Sequence, residues 1–225
     1  PSGIKKVTIA YKGRLAINLK ISVEDSSHAS APWLSKNAIL ESMVFARELK
    51  EKLEANQEGK TKGMLLTATM TEVKGGTSHN VTPKDCETTF DIRIPVDMNC
   101  KTIEQKIATL VKEISQEREV EAFYSILDET EPFEAPHNSP LVRAFTLGIM
   151  ETEHSRPMLI RKTGTGDMNV LGNQWGIPVV TYGPGDPHEA HTIDEKVSVD
   201  EYLRGIEILK KTLQHLKRLH DKNIQ

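Results

Sequence analysis

The period of the hydrophobic pattern changes repeatedly along the chain, which predicts alternating strands and helices. Leu15–Val23 alternates apolar and polar residues, as expected of a strand that is buried on one face. Asn37–Leu53 instead repeats apolar residues at helical spacing, which predicts an amphipathic helix. The same patterns predict further strands at Lys6–Tyr11, Met64–Val73, Glu87–Pro95, Val120–Leu127, Met158–Arg161 and Val179–Tyr182, and helices that begin near Thr102, Ser139, Met168 and Ser198. Two of the helix starts, Thr102 with Gln105 and Ser198 with Glu201, have the spacing of capping boxes.

The order of these elements predicts the fold class. From Leu15 to Leu127 the order is β-α-β-β-α-β, which is the ferredoxin-like arrangement of a four-stranded antiparallel sheet with two helices on one face. Glu129–Pro140 is an acidic, proline-rich linker. The strands and helices that follow it alternate, as in an α/β layer, but two strands are too few to bury the apolar stripes of their helices. We therefore expect an α/β protein with a segment at 1–12, a ferredoxin-like domain at 13–128 and half of a larger α/β domain at 129–225.

Composition narrows the classes of function. The chain has 225 residues, a net charge of −3 and only 5% aromatic residues, which argues against a nucleic-acid-binding protein. No apolar run is long enough to span a membrane. Two cysteines are too few for a disulfide framework and fit a reducing, cytoplasmic location. The chain starts at Pro1 without an initiator Met, and we expect it to be part of a longer protein.

The loop after the predicted strand Val179–Tyr182 is rich in metal-binding side chain types. It contains His188, Glu189, His191, Asp194 and Glu195. In open α/β sheets, ligands bind in loops beyond the carboxyl ends of strands, so this loop is a candidate metal site. A solvated acidic loop before a helix is the alternative, because the two histidines lack the i, i+4 spacing of a helical zinc motif.

Three other loops, and one strand, carry polar residues with a possible chemical role. His28, in a Ser-rich loop, is either a solvated residue or an imidazole aimed at an oxyanion. Asn80, in the glycine-rich segment 75–83, belongs either to a hairpin turn or to a substrate-binding loop. Arg93 alternates with apolar residues, so it faces water or clamps a carboxylate. The G-x-G loop within 161–169 could bind an anion on backbone N–H groups, although it is not a complete phosphate-binding motif.

Taken together and in order, these motifs resemble the zinc-dependent amidohydrolase family of acetylornithine deacetylase, succinyl-diaminopimelate desuccinylase and aminoacylase. The matching segments are SHASAP with His28, Gly75–Pro83 with Asn80, the strand carrying Arg93, Gly164–Asp167, and Gly183–Glu195 with His191. The nonapeptide RKTGTGDMN, which begins at Arg161, is closest to the branch that releases lysine or ornithine from a carrier-protein glutamate or from an N-acetyl group.

The resemblance implies a ferredoxin-like lid, which also forms a homodimer, joined to the C-terminal half of a catalytic domain. It implies one or two Zn²⁺ ions, for which Co²⁺ can substitute, with His191 as a metal ligand. His28 is then the catalytic oxyanion donor, supplied by the lid of the partner subunit. The implied substrate, an N-acyl amino acid or an amino-group carrier protein, is bound by Asn80, Arg93, Arg161, Gly164 and Thr165.

Some of the implied roles stay open, and part of the family's machinery is missing from this sequence. His188 lies near the metal or in solvent, and Asp194 or Glu195 either orients His191 or caps the following helix. The family's other metal ligands and its catalytic Glu lie upstream of the segment that corresponds to Pro1. We therefore expect this chain alone to be inactive. A non-catalytic amino-acid-binding or dimerisation module is the alternative function.

Overall fold

The computed structural model describes residues 3–186, 188–189 and 192–223. The chain folds into two compact units. The first unit consists of the residues up to Lys12 together with those from Phe133 onwards, and the second consists of Gly13–Pro132. We call the second unit the lid unit and the first the α/β unit.

The lid unit contains six elements in the predicted order β-α-β-β-α-β. They are β2 (Gly13–Ser22), α1 (Ala38–Leu53), β3 (Thr67–Gly75), β4 (Asp85–Ile94), α2 (Cys100–Arg118) and β5 (Glu121–Thr130), following β1 (Lys6–Tyr11) of the α/β unit. The sheet order is β3-β4-β2-β5, and every neighbouring pair is antiparallel. The ferredoxin-like fold class is therefore confirmed. Residue 128, the predicted end of this domain, lies inside β5, and the unit continues to Pro132.

The core of the lid unit lies between the sheet and its two helices. Along β2 the residues of one face are completely buried, as their alternation predicts, and they pack with apolar residues of both helices and of β4. These β2 residues are Leu15, Ile17, Leu19 and Ile21. The predicted cap at Thr102 is wrong. Asn99 caps α2, and its Oδ1 accepts a hydrogen bond from the Thr102 N–H at 2.8 Å, because Asn99 has an extended backbone and leaves Thr102 inside the first turn.

The α/β unit contains a three-stranded sheet and three helices among the residues that the structure describes. After β1 come β6 (Phe133–Glu134), α3 (Pro140–Glu153), β7 (Met158–Lys162), α4 (Asp167–Trp175) and α5 (Val199–Asn223). The sheet order is β6-β1-β7, with β6 antiparallel and β7 parallel to β1. Strand β6 lies inside the segment predicted to be a linker. Ser139 caps α3 as predicted, since its Oγ accepts from the Val142 N–H at 3.3 Å.

Two further expectations for the α/β unit change in the structure. Val179–Tyr182 does not form a strand and makes only an isolated antiparallel bridge between Thr8 and Thr181. A longer strand would have to pair with Ala10 and Tyr11 of β1, which already pair with β6. Helix α5 has the predicted apolar stripe, but Leu203, Leu209 and Leu213 on it are exposed, whereas the neighbouring Ile208 is buried. The three strands are thus too few to cover this helix, as expected. None of the described helices combines the length and apolarity that a membrane span requires.

Candidate functional site

The lid unit brings two of the predicted site residues together. His28 and Val81 form an antiparallel bridge, and the Ala29 N–H donates to the carbonyl of Asn80 at 2.8 Å. The hydroxyl of Thr82 is 2.8 Å from that of Ser35 and accepts a hydrogen bond from the backbone N–H of Ser27 at 2.6 Å. These bonds join the two loops that follow β2 and precede β4, so His28 and Asn80 sit side by side on an exposed surface.

Hydrogen bonding determines which nitrogen of His28 can donate to a ligand. The Ser30 backbone N–H donates to His28 Nδ1 at 3.2 Å, and the Ser30 hydroxyl lies 2.7 Å from the same atom. An imidazole nitrogen that accepts from an N–H carries no proton, so the neutral ring holds its proton on Nε2. Nε2–H is therefore a donor available for an oxyanion.

The amide of Asn80 is oriented by its own loop. Its Oδ1 accepts a hydrogen bond from the Ser78 hydroxyl at 2.7 Å. With the oxygen used in this way, the two N–H groups of the Asn80 amide are the part of the side chain that can bind a carbonyl or carboxylate oxygen.

Arg93 lies near the opposite end of the same sheet. Arg93 Nε and Nη2 both donate to the carboxylate of Asp91, at 2.6 and 3.1 Å. Arg14, which is paired with Arg93 in the ladder, donates to the same carboxylate at 2.8 Å. Asp91 thus holds two guanidinium groups together at this end. Arg14 was not predicted to be a site residue. Its place beside Arg93 follows only from the register in which β2 pairs with β4.

The strand β4 also gives the distance between Arg93 and the pair formed by His28 and Asn80. Arg93 is eight residues beyond Asp85 along β4, which corresponds to roughly 27 Å at the usual rise of a strand. Asn80 and His28 lie beyond the Asp85 end. One small substrate cannot contact His28 and Arg93 of the same lid unit.

The α/β unit separates its two candidate loops as well. Gly166, in the G-T-G-D loop, packs near the ring of Tyr11 at one end of β1, whereas Gly185 approaches Gly3 at the other end. Because the Thr181 bridge to β1 is antiparallel, residues 183–186, which follow it, lie towards the amino end of β1. A metal site in the loop 183–195 stays a prediction.

A buried amide orients the G-T-G-D loop. Asn169 is 1% exposed, its Nδ2 donates to the carbonyl of Lys12 at 3.1 Å, and its Oδ1 accepts from the Gly166 N–H at 3.0 Å. Gly164 is exposed and Thr165 is half-buried. Asn169 thus joins the loop to the end of β1. The sequence indicates this role of Asn169 only through its position, since it is the third residue of α4, which has Gly166 as its N-cap.

Arg161, at the end of β7, is held by an acidic neighbour. Its Nε and Nη2 donate to Glu134 Oε1 at 3.0 and 2.6 Å, and His137 Nε2 lies 3.1 Å from Nη2. Neither Glu134 nor His137 was predicted as a site residue, because their position depends on β6.

The predicted metal ligand, His191, lies outside the described residues. His188 is exposed, and its N–H donates to Asp186 at 2.9 Å. Ser198 caps α5, since its Oγ accepts from the Glu201 N–H at 3.4 Å, so capping by Asp194 or Glu195 is wrong. The orientation of His191 by one of the two carboxylates stays a prediction, and so does a position of His188 near the metal.

Within the described part of the chain, one group of three side chains has the spacing of a metal site. It consists of Cys100, Glu129 and Glu131 in the lid unit. Burial, together with the charges of Glu131 and Glu129, raises the pKa of the Cys100 thiol to about 12. Glu131 also accepts the backbone N–H of Cys100 at 3.0 Å. The hydrogen bond from Cys100 to Glu131 thus connects the start of α2 with the residues that follow β5. The described residues of the α/β unit provide no such group of three.

Comparisons with known proteins identify relatives of both units. A family model for the peptidase dimerisation domain matches residues 9–119. A LysW-lysine/LysW-ornithine hydrolase of Saccharolobus islandicus is 32% identical over 146 residues, which are 65% of this chain and 39% of the relative. A Thermococcus kodakarensis relative, provisionally given the same name, is 45% identical over 94 residues, 42% of this chain and 27% of the relative. The chain thus spans less than half the length of these curated relatives.

Solved structures share the fold over nearly the whole chain. A tripeptidase from Staphylococcus aureus superimposes with a TM-score of 0.77 over 96% of this chain and 55% of its own, at 17% identity. An M20 family metallo-carboxypeptidase from Sulfolobus solfataricus gives 0.71 over 94% and 60%, also at 17% identity. At these identities the likeness concerns the fold alone.

Proposed function

This chain belongs to the M20 peptidase family, and on that premise we propose that it is part of a metal-dependent amidohydrolase that releases lysine or ornithine. The proposed substrate is an N-acyl form of the amino acid, either a carrier-protein glutamyl form or an N-acetyl form. The names of the hydrolase relatives support this choice. The observation that carries the proposal is the joined pair of loops with His28 and Asn80, in which the Nε2–H of His28 is available as a donor.

The roles proposed for the lid residues follow from their hydrogen-bonding groups. When the scissile amide is attacked, its carbonyl oxygen becomes an oxyanion, and His28 Nε2–H donates to it. The Asn80 amide, whose oxygen is used by Ser78, donates to an oxygen of the same substrate. Arg93, held by Asp91, binds a carboxylate. These residues orient the substrate and stabilise charge that develops on it.

The metal is proposed from the resemblance, with His191 as a ligand. A bound Zn²⁺ or Co²⁺ ion supplies an activated water at neutral pH. The described residues of the α/β unit do not form a complete ligand set. We therefore propose that further ligands and the general base come from the part of the relatives' length that this chain does not span, and that residues 1–225 alone do not turn over substrate.

The separation of His28 from Arg93 supports a homodimer. Both are proposed to act on one substrate, yet they lie at opposite ends of one sheet. A second copy related by two-fold symmetry can supply the missing residue to each site. The match to a dimerisation domain agrees with this arrangement. Each active site would then combine Arg93 of one chain with His28 of the other.

The role of His28 is tested in the active enzyme that contains this chain. His28→Ala should lower turnover by roughly 100- to 1,000-fold, because one oxyanion donor contributes about 2.7–4 kcal/mol to the barrier. Zinc content should stay the same. His79→Ala, which changes another exposed histidine of the lid unit, is the matched control and should leave turnover close to normal. Unchanged turnover in His28→Ala would refute the oxyanion role.

The role of His191 has a separate readout. His191→Ala should lower the amount of zinc bound per chain, measured by elemental analysis after dialysis, because a ligand is lost. Unaltered zinc content would exclude His191 as a ligand.

A non-catalytic amino-acid-binding module is the second candidate, since the ferredoxin-like sheet is a frequent scaffold for such modules. It predicts that lysine binds to the complete protein without metal and that no amide is hydrolysed. Calorimetric titration of lysine with and without zinc separates the two functions.

A further inference from the structure

Three residues lie in one row across the sheet of the α/β unit. Ala10 of β1 is paired with Glu134 of β6 on one side and with Arg161 of β7 on the other. Paired residues of antiparallel strands point to the same face, so Glu134 shares a face with Ala10. Ile9, Tyr11 and the neighbouring Phe133 belong to the core, which places Glu134 on the face away from it.

The side chains at the two ends of this row meet across the middle strand. Arg161 Nε and Nη2 reach the same oxygen, Glu134 Oε1, at 3.0 and 2.6 Å. Because Ala10 ends at its Cβ and is fully buried, no long side chain of β1 separates the two groups. Ala10 is therefore the small residue that this ion pair requires.

His137 lies on a third side of the pair. Its Nε2 is 3.1 Å from Arg161 Nη2 and 3.1 Å from Glu134 Oε1. One ring nitrogen either carries a proton or accepts one, so it bonds to one of the two partners at a time. In both states the imidazole limits the movement of the guanidinium.

One nitrogen of the guanidinium stays available in this arrangement. Glu134 and His137 use Nε and Nη2, and Nη1 forms no hydrogen bond to any residue that the structure describes. The Arg161 side chain is 39% exposed, against 22% for Glu134. A guanidinium whose Nε edge is occupied can still bind a carboxylate through its Nη1 N–H groups.

We infer that Glu134 is a positioning residue for Arg161, and that Arg161 Nη1 binds the carboxylate of the amino acid that is released. The nature of this ligand rests on the proposed function, whereas the positioning by Glu134 rests on the contacts alone. The chemical class recognised at Nη1 is a free α-carboxylate, so an amino-acid amide should bind poorly.

The inference is tested by NMR on the complete, metal-free protein that contains this chain, with the arginine Nε–H signals labelled with ¹⁵N. Titration with L-lysine should shift the Arg161 signal, and L-lysinamide, which lacks the carboxylate, should not shift it. Glu134→Gln should weaken the affinity for lysine by about tenfold, because it weakens one charge-assisted contact that holds the guanidinium. Glu134→Asp, which keeps the charge, should bind more tightly than Glu134→Gln.

A matched control exists in the lid unit. Glu41 Oε2 accepts from Arg118 Nε at 2.8 Å and lies 2.6 Å from Arg118 Nη2, which is the same geometry. Glu41→Gln should leave the response of Arg161 to lysine unchanged. Equal responses to lysine and lysinamide, no response, or equal effects of Glu41→Gln and Glu134→Gln would overturn the inference. Since the titration needs neither metal nor turnover, its result is independent of the tests of the hydrolase assignment.

Discussion

The two units of this chain differ in how completely they bury the apolar stripe of an amphipathic helix. In the lid unit, α1 places Phe45, Leu49 and Leu53 against the four-stranded sheet, and all three are at most 1% exposed. In the α/β unit, α5 buries Ile208 against α3 but leaves Leu213 67% exposed. Helical periodicity predicts where a helix forms, whereas burial of its stripe depends on how much sheet and helix surface is available to cover it.

This difference in burial indicates that the lid unit depends less than the α/β unit on further residues for its stability. The lid unit buries the helix-facing side of its sheet within residues 13–132, and its exposed apolar side chains, such as Phe123 and Leu127 of β5, lie outside this core. The α/β unit has a three-stranded sheet and an exposed apolar stripe, which marks a surface that another polypeptide segment should cover.

The largest expected difference between the units comes from one matched substitution. Leu49→Ala in α1 should lower the free energy of unfolding of the lid unit by about 2–5 kcal/mol, because it opens a cavity in a buried core. Leu213→Ala in α5 should change the stability of the α/β unit by less than about 0.5 kcal/mol, because the side chain is already exposed. Urea denaturation of each variant measures both values. Similar losses would show that the Leu213 face is covered in solution.

A smaller effect is expected where α5 does pack. A Cβ at Gly148 of α3 would lie 2.6 Å from Thr212 Oγ1 and 3.0 Å from the Ile208 carbonyl oxygen. Gly148→Ala should therefore separate the two helices and destabilise the α/β unit by about 1–3 kcal/mol. Gly164→Ala, where nothing lies within 4 Å, is the control for thermal unfolding. An equally stable Gly148→Ala variant would contradict the close approach of α3 and α5.

The lid unit should also lose stability at alkaline pH. Burial raises the pKa of Cys100 from 9.0 to about 12, so the folded unit keeps a proton that the unfolded chain releases. This contribution is complete below pH 9 and is lost as the pH rises towards 12, by about 1–2 kcal/mol at pH 10.5. Cys100→Ala should reduce this loss in denaturant titrations at pH 8 and 10.5. An identical pH dependence in both proteins would contradict the raised pKa.

Local patterns predicted most of the fold. The alternation in β2 was sufficient to predict a strand, and Ser139-Pro140 was sufficient to predict the start of α3. Both features are determined by residues that are close together in the sequence. The cap of α2 was misassigned to Thr102, since Asn99 and Thr102 are both good caps and only the backbone conformation decides between them. The weak pairing of Val179–Tyr182 could not be predicted, because it depends on β6 competing for one side of β1.

The candidate site could be predicted by residue type but not by arrangement. His28 and Asn80 were identified from separate loops, and their proximity results from the register of β2 with β4. The same register places Arg93 at the far end of the sheet. Glu134 carried no motif, and its contact with Arg161 exists because both residues pair with Ala10.

In the proposed homodimer, each active site combines Arg93 of one subunit with His28 of the other. The most direct test of this arrangement uses His28→Ala and Arg93→Ala variants of the active enzyme, each inactive alone, which are mixed under conditions that exchange subunits. We expect recovery of about one quarter of normal activity, because about half of the dimers are mixed and one of their two sites is intact. No recovery, with mixed dimers demonstrated by mass spectrometry, would contradict it, because both residues would then serve the site of their own chain.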